Sequence, residues 1–178
     1  MPPVSTYAPH GVIPAVLLSF DNDLSIDETS FRKHLRDVSA TPGISAITFN
    51  AHSREVASCT FDEQRRVFDI AQHEVGERIR IFNGIWADSS LEAARIARMA
   101  TQGGASALLV FPPGPFTLGQ SQEMALAHFR MQSSHLLLCT NDFRNGSKSR
   151  HRSAPGRTCI DPSKTFGASA FGATAHPF

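Results

Sequence analysis

The chain has 178 residues, which suits one domain of ordinary size, whereas a closed (β/α)8 barrel takes about 250 residues. Hydrophobic residues make up 41% and charged residues 19% of the sequence, which excludes a collagen-like or wholly disordered chain. The formal net charge of +1 is too small to suggest a nucleic acid or a membrane surface as a partner.

The N-terminal segment does not show the pattern of a targeting signal. MPPVSTYAPHG lacks the basic region followed by an apolar stretch that marks a secretory leader. Nowhere in the chain does an apolar run reach the roughly 18 residues that span a bilayer. We therefore expect a cytoplasmic protein.

Four short, nearly continuous apolar runs follow one another along the first two thirds of the chain. They read GVIPAVLL, ISAITF, RIRIFNGI and SALLVF, at residues 11–18, 44–49, 78–85 and 106–111. Such runs are typical of parallel strands that are buried on both faces.

Each of these runs is followed by a segment with helical character. Three of the segments open with a hydroxyl residue and a Glu three positions later, the capping box that begins many helices. The three pairs are Ser25 with Glu28, Thr60 with Glu63, and Ser89 with Glu92. After the third segment, Gly103 and Gly104 predict a helix end, and a shorter fourth segment reads SQEMALAHFR.

Strands that alternate with helices of 10 to 15 residues predict right-handed βαβ units and a parallel sheet. The first 130 residues therefore read as four successive βα units of an α/β protein. Two architectures fit this alternation, a partial (β/α)8 TIM barrel and a flavodoxin-like open sheet, and periodicity alone does not choose between them.

The composition changes near residue 130. Residues 1–130 hold 11 Lys and Arg against 14 Asp and Glu, whereas residues 131–178 hold 6 against 2. The second part is rich in Ser, Gly, Pro and Arg and has a single apolar triplet at 136–138. We therefore divide the chain into a domain at 1–130 and an irregular, basic tail at 131–178, which we expect to be disordered or encoded out of frame.

The segment after the second run carries the most informative motif. Residues 50–63 read NAHSREVASCTFDE and resemble the loop of the dihydrodipicolinate synthase and N-acetylneuraminate lyase family, in which GTTGE precedes Leu-Ser/Thr-x-x-Glu. GVIPAVLLSF, FNGIWADSSLEAARIA and ALLVFPPGPF resemble other segments of that family at the correct spacing. The resemblance covers residues 10 to 130 and implies the first half of a TIM barrel.

The resemblance also implies a reaction and a substrate class. These enzymes make or break carbon–carbon bonds of 2-oxo acids such as pyruvate, through a Schiff base, without metal or organic cofactor. His52 and Ser53 occupy the positions of the paired threonines that help bind the carboxylate, so we expect them to bind substrate. The two motif glycines are replaced by Ala51 and Arg54, which alters the loop.

The family's Schiff-base lysine, on the sixth strand, and its relay tyrosine, on the fifth, have no counterpart here. The lysines are Lys33, Lys148 and Lys164, and the only tyrosine is Tyr7. None of the three lysines lies in a strand pattern that would bury an amine and lower its pKa. The catalytic residues of this chain are thus unknown, and we expect a truncated chain that is inactive alone.

Two further expectations concern ligands and association. The eight histidines show no HxxxH or HExxH spacing, so we predict no metal. A half barrel exposes unpaired backbone at its two outer strands. We expect 11–18 and 106–111 to be those edges and to drive self-association. The alternative function is a small-ligand or protein-binding open α/β module without catalysis.

Overall fold

The computed structural model describes residues 10–51, 55–119 and 121–132, together with the strands at 138–140 and 158–160. Helices and strands alternate along the chain. The helices are α1 (Glu28–Ser39), α2 (Phe61–Val75), α3 (Ser90–Gln102) and α4 (Gln122–Gln132). The strands are β1 (Ala46–Phe49), β2 (Arg80–Ile85), β3 (Ala107–Val110), β4 (Leu138–Thr140) and β5 (Thr158–Ile160). Short 3-10 turns at Glu55–Ser58 and Gly114–Leu118 follow β1 and β3.

The strands form one sheet in the order β1-β2-β3-β4-β5. The pairs from β1 to β4 are parallel, with Phe49 opposite Asn83 and Ile85 opposite Val110, and β5 is antiparallel to β4. Sequential parallel strands joined by helices are the connectivity of a (β/α)8 barrel. The second, third and fourth predicted runs are thus confirmed as β1, β2 and β3.

The first predicted strand, residues 11–18, is not a continuous strand. It lies parallel to β1 but makes only two isolated bridges, Val12 with Ile44 and Ala15 with Thr48. Pro14 interrupts the run, because proline has no N–H to donate to a neighbouring strand. Its carbonyl still accepts a 3.0 Å hydrogen bond from the Thr48 amide, so the segment extends the sheet as an irregular edge.

The expectation that residues 106–111 form a free edge is wrong. β4 pairs with β3 in parallel register, with Leu108 opposite Leu138 and Val110 opposite Thr140. The only sequence signal for this strand is the apolar triplet at 136–138, which is shorter than any of the four predicted runs. The division of the chain near residue 130 stays a prediction.

The helix starts agree with the sequence in two cases of three. Thr60 and Glu63 form the full capping box at the start of α2, and Ser89 accepts a weak hydrogen bond from the Glu92 amide at α3. The box predicted at Ser25 is wrong, because Asp27 caps α1 instead and accepts a 2.9 Å bond from the Ser30 amide. An Asp one residue before the helix is as good an N-cap as Ser.

The sheet has one face against the helices and an opposite, concave face. Ile47, Phe49, Ile81 and Leu108 belong to the large core that includes the inward residues of α1 to α4. Ala46, Phe82 and Ala107 form a separate small cluster with Ile13 on the other face. Residues of each strand alternate between these faces, as they do in the wall of a barrel.

Together, these observations confirm the predicted fold class, a partial (β/α)8 TIM barrel of the parallel α/β class. Among the helices that the structure describes, none is long and apolar enough to cross a membrane.

Candidate functional site

The candidate site lies where β1, β2 and β3 end. In parallel α/β folds the carboxyl ends of the strands form the ligand-binding edge. Asn50 and Ala51 follow β1 there, and Glu55 begins the 3-10 turn that leads to α2. His52 and Ser53, the residues that we expect to bind substrate, lie outside the described residues, as does Arg54.

A buried amide network supports the start of this loop. Asn50 Nδ2 donates to Asn83 Oδ1 on β2 at 3.0 Å and to the Gln64 backbone carbonyl on α2 at 3.1 Å. Asn83 Nδ2 donates in turn to the Gly84 carbonyl at 2.7 Å. Asn50 and Asn83 are both buried, and unpaired amides would be costly there. The network therefore ties the end of β1 to β2 and α2.

The loop turns sharply at Asn50 and crosses β2 in close contact. Asn50 has a φ of 52°, a left-handed conformation that Asn tolerates better than most residues. Its backbone packs directly on Gly84, where a Cβ would overlap the Asn50 carbonyl oxygen and stand 2.5 Å from Ala51 Cα. Only glycine fits at position 84 without a backbone shift, so Gly84 sets the path of the loop.

One polar group reaches the concave face near this edge. Thr48 lies opposite Phe82 on the face that also carries Ala46. It is buried, and its hydroxyl has no hydrogen-bond partner among the described residues. A buried hydroxyl without a partner is uncommon in folded proteins. Thr48 therefore supplies a polar atom to the barrel interior, two residues before the loop that carries His52 and Ser53.

The loops after β2 and β3 are joined to each other at the same edge. Asp88 Oδ1 accepts a 2.9 Å hydrogen bond from the Gly114 amide. Ser90, the first residue of α3, lies with its Oγ 2.8 Å from Nδ1 of His128 on α4. The His128 ring is also in edge contact with Phe116 and Phe129. These contacts hold the outer rim of the edge together.

Burial sets the protonation state of His128. The side chain is buried, and this burial lowers the pKa of the imidazole below the ordinary value of about 6.5, outweighing the hydrogen bond to the Phe111 backbone that acts in the opposite direction. His128 is therefore neutral at pH 7. Because the folded protein favours the neutral imidazole, His128 contributes its full share to the free energy of unfolding above about pH 6.5. This contribution is lost as the pH falls through the lowered pKa.

We predict that His128→Gln flattens the dependence of stability on pH. The free energy of unfolding, measured with urea, should fall less for the variant than for the parent chain between about pH 6.5 and pH 5, because glutamine cannot take up the proton. The exposed His73→Gln is the matched control and should follow the parent. Parallel curves for the parent and His128→Gln would contradict this assignment.

The described part of the chain contains one lysine, Lys33, and its setting does not suit catalysis. It lies on α1 with 72% of its side chain exposed, and its Nζ is 2.7 Å from Asp37 Oδ2. An exposed, ion-paired ammonium is not the buried amine that Schiff-base chemistry uses. Lys148 and Lys164 lie outside the described residues.

Within the described residues, no group of three or more His, Cys, Asp and Glu could hold a metal ion.

The sequence did not predict four residues of this edge, namely Asn50, Asn83, Gly84 and His128. One signal was available, since Asn83 interrupts the apolar run RIRIFNGI and a polar residue in a buried strand needs a partner. Nothing in the sequence identified Asn50 as that partner.

In a comparison with known protein families, residues 8–135 match the dihydrodipicolinate synthetase family. A 4-hydroxy-tetrahydrodipicolinate synthase of Salinibacter ruber is 33% identical over 118 residues, which cover 66% of this chain and 38% of that protein. The enzyme of the same name from Methanothermobacter thermautotrophicus is 32% identical over 103 residues, or 58% of this chain and 36% of the relative. The matched region thus spans under two fifths of either relative.

Solved structures agree on the fold. The 4-hydroxy-tetrahydrodipicolinate synthase of Methylacidiphilum fumariolicum SolV superposes with a TM-score of 0.69 at 22% identity, covering 75% of this chain and 44% of that one. CdNal from Clostridium difficile, solved in complex with mannosamine, gives a TM-score of 0.67 at 24% identity and covers 73% and 45%. At these identities the likeness establishes the fold alone.

Proposed function

Because the chain belongs to the dihydrodipicolinate synthetase family, we propose that it derives from a Schiff-base aldolase or lyase acting on a small 2-oxo acid such as pyruvate. The proposed reaction makes or breaks a carbon–carbon bond and uses neither a metal nor an organic cofactor. The observation that carries this proposal is the family match over residues 8–135, which contains the loop that begins at the end of β1.

In this proposal His52 and Ser53 bind the substrate carboxylate. They follow Asn50 and Ala51, whose backbone is fixed by Gly84 and by the amide network with Asn83. A substrate-binding loop that starts from a fixed backbone has fewer conformations to lose when it binds a ligand. The Thr48 hydroxyl on the concave face offers a further polar contact to a small substrate in the barrel interior.

The proposal also holds that this chain is truncated relative to an active enzyme and is inactive by itself. Its support is the setting of Lys33, which is exposed on α1 and paired with Asp37. Formation of a Schiff base requires a neutral amine next to the bound carbonyl. Lys33 lies exposed on α1 instead of at the carboxyl ends of the strands, where the substrate would bind.

We predict that incubating the purified chain with pyruvate and borohydride leaves its mass unchanged. Borohydride reduces a Schiff base to a stable secondary amine, so a single intact-mass measurement reports whether any lysine reacts. A full-length family member is the positive control. A stoichiometric adduct at Lys33, Lys148 or Lys164 would contradict the inactive-chain proposal.

The competing function is an open α/β module that binds a small ligand or a protein without catalysis. Ligand-dependent stabilisation of the chain without turnover would favour it.

Three further expectations remain part of the proposal: a cytoplasmic location, self-association, and the tail at 131–178 as a separate unit. Self-association rests on the irregular edge at 11–18, where Val12 and Leu17 are exposed, since such edges pair with other chains.

A further inference from the structure

A groove on the convex side of the sheet carries arginines from two neighbouring helices. It has a volume of about 410 Å³ and runs between α2 and α3, lined by Phe61, Arg65, Asp69, Arg95, Arg98 and Met99 among others. This volume is within the range of small-molecule sites. The groove lies outside the candidate site at the strand ends, so a ligand role for it is independent of the proposed function.

The neighbouring seam between α1 and α2 shows how charges are balanced elsewhere on this surface. Arg66 of α2 makes a two-point contact with Glu28 at the start of α1, at 2.6 and 2.7 Å. In the other direction, Arg32 of α1 contacts Glu74 of α2 at 3.2 Å. Each helix therefore offers carboxylates to the arginines of the other.

The seam between α2 and α3 lacks this balance. Among the residues that the structure describes, Arg65 pairs only with Asp69, at 4.0 Å, and Arg95 only with Glu92, at 3.4 Å, each on its own helix. Arg98 makes no ion pair or hydrogen bond with any residue that the structure describes. Three guanidinium groups thus line the groove with one carboxylate among them, and like charges that face each other disfavour the empty state.

The apolar floor of the groove orients one of these arginines. The Arg95 guanidinium carbon lies 3.7 Å from the centroid of the Phe61 ring. Stacking on an aromatic face fixes the plane of the guanidinium and leaves its edge N–H groups free to donate. Met99 adds apolar surface to the same groove. An oriented arginine loses less entropy on binding a ligand than a mobile one does.

We propose that the α2–α3 groove binds a small organic or inorganic oxyanion with at least two negative charges, held by Arg65 and Arg98 with Arg95 as a third donor. Arginine forks match the geometry of carboxylate and phosphate groups, and both chemistries meet the charge of the groove. Every residue of this site lies within 61–103, on two adjacent helices. The site is therefore complete in this chain.

The test is calorimetric titration of the full chain with two probes, citrate for carboxylates and pyrophosphate for phosphates, at constant ionic strength set with sodium chloride. We expect saturable binding of at least one probe, and the stronger one identifies the ligand chemistry. Arg65→Gln and Arg98→Gln should each weaken binding about tenfold, the value of one charge-assisted contact.

Arg80→Gln is the matched control, because Arg80 is exposed at the start of β2 and its replacement removes the same charge away from the groove. It should change the affinity less than about twofold. Arg65 and Arg98 are both exposed, Arg65 by 64% of its side chain, so their replacement should preserve the fold. Absence of saturable heat with both probes, or equal weakening by all three variants, would overturn the proposal.

Discussion

Gly84→Ala is expected to destabilise the chain by about 3 kcal/mol, at the upper end of what overpacking usually costs. The added methyl group would overlap the Asn50 carbonyl oxygen and stand 2.5 Å from both Ala51 Cα and Asn50 C. All of these are backbone atoms, which cannot rotate away as the end of a long side chain can. Relief requires a shift of β2 or of the loop, and either shift strains the Asn50–Asn83 hydrogen bond.

Urea unfolding of parent and variant measures this effect. Gly43→Ala is the matched control, because Gly43 has a φ of 86° and nothing within 4 Å of an added Cβ. That substitution carries the strain of a left-handed alanine without a steric clash, and should cost about 1 kcal/mol. Equal losses for the two variants would show that Gly84 is not packed against the loop.

Much of the half barrel could be predicted because its signals are local. The runs at 44–49, 78–85 and 106–111 are short and apolar, and the structure has β1, β2 and β3 within them. The Thr60–Glu63 capping box was predictable for the same reason, since both of its hydrogen bonds join residues three positions apart. Gly103 likewise ends α3 where the pattern predicts it.

The errors arose where the local signal was misread or too short. The apolar run GVIPAVLL predicted a strand, but Pro14 has no N–H to donate and the segment makes only isolated bridges. The predicted cap of α1 was Ser25, and the structure uses Asp27, two residues later. The pairing of β4 with β3 had almost no sequence signal, because three residues are too few to show periodicity.

Of the candidate site, only the loop motif at residues 50–63 could be predicted from the sequence. The likeness of residues 50–63 to the family loop predicted His52 and Ser53 as substrate-binding residues, and this stays a prediction because both lie outside the described residues. The contacts that support the loop join residues far apart in sequence, as Asn50 does with Asn83 across 33 positions. Long-range pairs of this kind leave no periodic pattern in a single sequence. The arginine groove between α2 and α3 was not predictable for the same reason, because it exists only once the two helices lie side by side.

The central proposal is that this chain holds the first half of a family active site without the amine that completes it. A chimera that joins residues 1–135 to the C-terminal part of a full-length family member should restore that amine. We expect the chimera to gain a borohydride-reducible adduct with pyruvate, close to one per chain, while the parent chain gains none. This change from no adduct to nearly full labelling is the second large effect that we predict.

Two variants of the chimera connect the result to the loop. His52→Ala and Ser53→Ala should each raise the pyruvate concentration needed for half-maximal labelling about tenfold, because each removes a contact to a charged carboxylate. Ser39→Ala is the matched control, since its hydroxyl donates to the Arg36 carbonyl on α1, and its labelling should follow the unmodified chimera.

The most direct measurement is therefore the intact mass of the chimera and the parent chain after treatment with pyruvate and borohydride under the same conditions. We predict a single adduct on the chimera and an unchanged mass for the parent chain. A chimera that unfolds cooperatively, and is therefore folded, but gains no adduct would contradict the claim that residues 1–135 retain a competent half of the site.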